Sequence, residues 1–175
     1  GGTLAGMRDT VAAQVTAAAG RVAGPIALSG HSAGGHLAAR LAEGLAAVHE
    51  CGVLHRDVKP QNVLLLPTSY VLADFGIALR RGYGTRVTMV GLAVGSTAYM
   101  APEQARGQLV DARSDIYSAA CVMFEMLTGR PPFTGDTPVS IAYQHVREEP
   151  QPPSALNPAI TPALEAELLH RLQHP

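Results

Sequence analysis

Apolar and polar positions along the chain fall into blocks that predict a mostly helical molecule with one small hairpin. From Met7 to about Ala19 the apolar residues recur at helical spacing. Gly24-Pro25 breaks that run, Ile26-Ala27-Leu28 reads as a short buried strand, and Ser29 to Gly35 turns the chain sharply. A long helix is expected from about Ala33 to Glu50, with Leu37, Leu41, Leu45 and Val48 on one face and a stop at Gly52. Val63 to Leu66 and Tyr70 to Leu72, parted by Pro67-Thr68-Ser69, predict a β-hairpin. From about Arg80 to Thr97, glycines, threonines and arginines follow one another without a period, which predicts a long loop of the kind that usually carries function. Asp115 to Thr128 is apolar around the whole helix and should be buried; Gly129-Arg130-Pro131-Pro132-Phe133 ends it. A helix over Val139 to Glu148, a proline-rich connection and a last helix from about Pro162 to Gln173 complete the pattern.

The 175 residues suit one domain, or one domain plus a fragment of another, and no internal repeat is present. Hydrophobic residues at 47% against 15% charged residues exclude disorder of the whole chain. A formal net charge of −1 offers no broad attraction to phosphate, so no nucleic acid partner is expected. No apolar run approaches the ~18 residues of a membrane span, and no secretory leader is visible. The chain opens on Gly1 rather than Met. Cys51 and Cys121 lie far apart without ligand spacing, as in a reducing compartment, so a cytoplasmic location is expected. Seven histidines, of which only His170 and His174 stand at i, i+4, predict no transition-metal site.

Three clusters carry the chemistry. His55-Arg56-Asp57-Val58-Lys59-Pro60-Gln61-Asn62, Asp74-Phe75-Gly76 and Ala101-Pro102-Glu103 follow one another in an order and spacing that, with Asp115-Ile116-Tyr117-Ser118, resemble bacterial serine/threonine protein kinases of the eukaryotic-like family. The resemblance covers about 41–175 and implies a mainly α (α+β) large lobe, a helical bundle with a small β-hairpin. It also implies ATP and Mg²⁺ as cofactors and protein Ser/Thr hydroxyls as substrates.

Phosphoryl transfer needs positioning and charge neutralisation more than covalent help. By resemblance, Asp57 would accept the hydroxyl proton and Lys59 would reach the γ-phosphate. Asn62 and Asp74 would offer oxygen ligands to Mg²⁺, and Leu64 would underlie the adenine ring. The hairpin between those two ligands is about one residue tighter than the family's. Residues 74–103 resemble an activation segment in which Thr88, and secondarily Thr85, would be phosphorylated and paired with Arg56, whose guanidinium fork suits phosphate oxygens. Ser96 replaces a family threonine that contacts the catalytic Asp and Lys, and keeps the hydroxyl. His55 would pack near Phe75, and Asp115 would brace the catalytic-loop backbone. Outside the family match, a lone histidine such as His55 is most simply a packed core residue, and Thr85 and Thr88 solvated loop residues.

No G-x-G-x-x-G lid and no V-A-I-K strand can be assigned, so the small lobe is expected to be absent from this chain. The family also continues past the last helix to an arginine that pairs with Glu103, and here the sequence stops at His174-Pro175. Little or no kinase activity is therefore expected of the isolated chain, and another kinase chain is a candidate partner.

In front stands a second signature. Gly30-His31-Ser32-Ala33-Gly34, preceded by a strand and followed by a helix, is similar to the nucleophile elbow of α/β-hydrolases of the arylformamidase and esterase-like group. This implies an appended helix-strand-helix fragment over 1–40, with the kinase-like large lobe over 41–175 and a junction within Leu37 to Glu43, making the chain a chimeric fragment. Ser32 would be the nucleophile, yet the histidine and acid that activate such a serine, and the upstream H-G-G motif, are not found. The simpler role for Ser32 is a helix N-cap. Three functions thus stay open: a kinase lobe, a hydrolase using Ser32, and a non-catalytic interaction module whose exposed cleft floor docks a partner.

Overall fold

The computed structural model describes residues 33–66, 69–74 and 96–173; for 33–40, 42, 64–66 and 69–71 the backbone alone is described. The expected helix over 7–19, the strand over 26–28, the elbow turn with Ser32, and most of the loop over 80–97 lie outside these residues.

The first helix, α1, is Ala33–Glu50 and runs unbroken through residues 37–43, where the sequence suggests a junction. Leu41 and Leu45 are buried on its inner face. It ends as expected at Gly52, which adopts φ 69. There the Val53 amide donates to the Val48 carbonyl at 3.1 Å and the Gly52 amide to the His49 carbonyl at 2.9 Å. This paired closure needs a left-handed residue, which glycine supplies at least cost.

An extended stretch leads to a 3₁₀ turn at Pro60–Asn62 and then to β1 (Val63–Leu66) and β2 (Ser69–Leu72), an antiparallel pair. Val63 stands opposite Leu72 and Leu66 opposite Ser69, so two residues rather than three connect the strands. Ser69 pairs in the ladder, which corrects its assignment to the turn. β2 leans on α1.

The second half is helical: α2 (Pro102–Ala105), α3 (Ala112–Thr128), α4 (Pro138–Arg147), α5 (Pro153–Leu156) and α6 (Pro162–Gln173). α3 is the axis of the core, touching α1, α2, α5, α6 and a 3₁₀ turn at Thr97–Tyr99. Tyr117, Phe124 and Leu127 on it are fully buried. It starts one turn before the expected Asp115, because Asp111 caps it by accepting from the Arg113 amide at 2.8 Å. α4 starts and ends one residue earlier than its apolar pattern suggests, with Thr137 Oγ1 accepting from the Ser140 amide at 3.1 Å.

The expected proline-rich connection contains α5. Glu165 caps it by accepting from the Ser154 amide at 2.8 Å, and Asn157 Nδ2 donates to the Leu127 carbonyl at 2.7 Å, satisfying the buried end of α3. No helix among the described residues is long and apolar enough to cross a membrane.

Candidate active site

The site is assembled where the stretch after α1 meets the N-terminal end of α3. Asp115, in the first turn of α3, is 1% exposed. Its Oδ2 accepts from the His55 amide at 2.8 Å and from His49 Nε2 at 2.8 Å, and its Oδ1 accepts from the Arg56 amide at 2.7 Å. A carboxylate without water stays where it is because donors occupy both oxygens.

His55 is buried and fixed as one tautomer. Its Nε2 lies 2.9 Å from the Ala73 carbonyl and must donate, while the Asp57 amide donates to its Nδ1 at 3.3 Å. The imidazole therefore ties the loop carrying Asp57 to the end of the hairpin carrying Asp74. On the other side of the hairpin base, the Ala73 amide donates to the Asn62 carbonyl at 2.8 Å.

Around Asp57 three side chains converge. Lys59 Nζ donates to Asp57 Oδ2 at 2.7 Å and to Ser96 Oγ at 3.0 Å. Asn62 Nδ2 donates to the Asp57 carbonyl at 2.8 Å and to its Oδ2 at 3.1 Å. The Asn62 amide is thus oriented with nitrogen toward Asp57, which leaves Oδ1 as its oxygen donor. Lys59 retains 19% and Asp57 37% of their side-chain exposure, so this pair can reach a solute from the open side.

Asp74 follows Ala73 as an exposed residue with φ 52, and Arg56 has φ 67. These are the only non-glycine residues with positive φ among those described, and both flank the site. Such backbone costs energy and persists where surrounding bonds over-determine it. The Arg56 Nε is buried with no hydrogen-bond partner among the described residues. Leu64 sits on β1 opposite Val71. Phe75, Thr85 and Thr88 lie outside the described residues.

Glu103, at the start of α2, accepts a hydrogen bond from Ser114 Oγ. The family resemblance implies a distant arginine as its partner; among the described residues the first turn of α3 supplies Ser114. The residue that sequence reasoning passed over is Gln104. It is 7% exposed, its Nε2 donates to the Arg56 carbonyl at 2.9 Å, and its Oε1 accepts from the Ala101 amide at 2.9 Å. Its adjacency to Glu103 was the only signal available.

A second buried polar group lies behind the Thr97–Tyr99 turn. His145 of α4 is wedged against Phe133, with ring centroids 4.9 Å apart, and its Nδ1 is 2.7 Å from the Tyr117 hydroxyl. Burial pushes its pKa down to about 4, although the Thr97 and Ala98 backbone pulls the other way. Burial also raises the Tyr117 hydroxyl far above its usual value, so the phenol donates to a neutral ring.

The family described as protein kinase domain matches residues 25–171, a span that begins inside the stretch likened above to a hydrolase fragment. The chain is similar to a probable serine/threonine-protein kinase of Streptomyces coelicolor, 52% identical over 126 residues, which are 71% of this chain and 19% of that protein. It is equally similar to serine/threonine-protein kinase PknB of Mycobacterium tuberculosis, 52% identical over 126 residues and 20% of that protein's length. A probable PknB of Corynebacterium glutamicum is 48% identical over 122 residues. The chain therefore spans about a fifth of the length of these curated relatives. No hydrolase figures among these relatives. Because that family model matches residues 25–171, most of its length, the chain belongs to the protein kinase domain family.

Proposed function

We propose that this site transfers the γ-phosphate of ATP to serine or threonine hydroxyls of proteins. The observation that carries the reading is the hydrogen-bonded set of Asp57, Lys59, Asn62 and Ser96. Asp57, half exposed and held by Lys59 and Asn62, is suited to accept a hydroxyl proton and to align that oxygen for in-line attack. Lys59 sits between a carboxylate and a hydroxyl, from which its ammonium can swing to a phosphate oxygen.

Asn62 Oδ1 and the Asp74 carboxylate are hard oxygen donors at the two ends of one hairpin, a donor set that fits Mg²⁺. When bound, the ion would neutralise charge on the phosphates. The Arg56 Nε, buried with no partner among the described residues, supports a role in receiving a phosphate on Thr88, or secondarily Thr85.

The test joins the small lobe of the Mycobacterium tuberculosis relative in front of residue 41 and follows label from radioactive ATP into a protein substrate. Transfer that disappears in Asp57→Asn is expected; a folded fusion that binds ATP without transfer would refute the reading. The 175 residues alone are expected to transfer little, because they supply no glycine-rich lid or strand lysine. The hydrolase alternative for Ser32 rests on the Gly30–Gly34 motif with the strand expected before it and the helix after it. Turnover of a chromogenic acetate ester, lost in Ser32→Ala, would revive it, and none is expected.

A further inference from the structure

We propose that Gln104 is a positioning residue for Asp57: it clamps the carbonyl of Arg56 so that the left-handed backbone there, and with it the direction of the Asp57 carboxylate, is held from two sides. The inference rests on the phosphoryl-transfer reading for its catalytic meaning, while the clamp itself is a matter of geometry.

Arg56 has φ 67, a left-handed conformation that an L-residue adopts only at a cost. On its N-terminal side the amide is held by Asp115 Oδ1 at 2.7 Å. That bond alone fixes one end of the residue and leaves ψ free to relax. On the C-terminal side the Arg56 carbonyl belongs to the same peptide plane as the Asp57 amide. Gln104 Nε2 donates to that carbonyl at 2.9 Å, while the Asp57 amide donates to His55 Nδ1 at 3.3 Å. The plane immediately before Asp57 is therefore pinned at both its oxygen and its nitrogen.

Chemistry fixes the orientation of the Gln104 amide. A carbonyl can only accept, so nitrogen must face Arg56. The Ala101 amide can only donate, so oxygen must face Ala101. Both ends of the amide are thus used, in a side chain 7% exposed. An apolar residue of this size would fill the same volume, and what it would lose is the tie between Arg56 and the segment entering α2. Asparagine would be one methylene too short to span both groups.

Two variants separate clamp from filler. Gln104→Met keeps volume and removes both bonds. Gln104→Glu keeps the acceptor for Ala101 and turns a carboxylate oxygen against the Arg56 carbonyl. In isotope-labelled chain, the Arg56 three-bond HN–Hα coupling and Cα shift report its φ. Both variants are expected to lose the left-handed signature and to move the Asp57 and Lys59 amide resonances, while those of Cys121 and Phe124 in α3 stay put.

Arg56→Gly removes the cost of positive φ. In that background Gln104→Met is expected to leave Asp57 nearly unmoved, a rescue that a mere packing role would not produce. In the fusion assay described above, kcat should fall about tenfold to a hundredfold with KM for ATP unchanged. Retention of the left-handed signature in both variants, or an Asp57 displacement equally large with glycine at 56, would overturn the proposal. A wild-type fusion without transfer would reject the functional reading and leave the resonances to decide the clamp.

Discussion

At the scale of single residues, the molecule contains side chains whose ionic state is set by burial and whose effect on stability has a definite sign. His145 is neutral in the folded chain because burial holds its pKa near 4, while an unfolded histidine titrates near 6.5. Between those values the unfolded chain binds the extra proton, so stability is full above about pH 6.5 and falls as pH drops toward 4. The loss should approach about 3 kcal/mol. Urea midpoints measured between about pH 7 and pH 4 should decline accordingly, and His145→Phe should flatten that decline. Residues of this kind divide sharply in how legible they were. His55 to Asn62 could be read because the chemistry is contiguous in sequence, and Ser96 because a hydroxyl was kept at a family position. Gln104 and the Tyr117–His145 pair could not, since each works on a partner that only folding brings near: 48 positions away for Gln104 and 28 for Tyr117.

At the scale of elements, apolar periodicity located α1, α3, α4 and α6, and the errors lie at their ends. Asp111 was passed over as the cap of α3 because the buried face becomes continuous only later, although an aspartate ahead of Ala112 and Arg113 is an ordinary N-terminal signal. The short α5 was read as connection because four residues carry no period; it stands because Glu165 and Asn157 satisfy its surroundings from outside. Helix ends also give one substitution opposite signs at two places. Gly129 closes α3 at φ 82, with its amide on the Glu125 carbonyl at 2.8 Å, so Gly129→Ala should cost about 1 kcal/mol. Gly44 lies inside α1 where an added Cβ meets nothing within 4 Å, so Gly44→Ala should stabilise by roughly 0.5–1 kcal/mol. Thermal melts of the two single variants should move in opposite directions.

At the scale of the whole molecule, α3 serves both the core and the candidate site: Asp115 at one end holds the His55 and Arg56 backbone, and Phe124 further along is fully buried among its neighbours. Phe124→Ala should cost about 3–5 kcal/mol, a large share of the roughly 5–15 kcal/mol that stabilises a domain. Denaturant titration should show that loss as a lower midpoint, with the His55 and Asp57 resonances broadening together with those of the core. Fold class was legible at this scale because the one helix apolar on all sides had to be central. The hairpin has a practical use of a different kind. Its base is stitched by the Ala73–Asn62 bond and its register is set by four strand pairs, so the connection between Leu66 and Ser69 can change length without moving either end. An epitope tag or fluorophore-binding peptide spliced there would ride as a passenger at the end of the hairpin away from Asn62 and Asp74, since each doubling of a loop adds only about 0.6 kcal/mol to closing it.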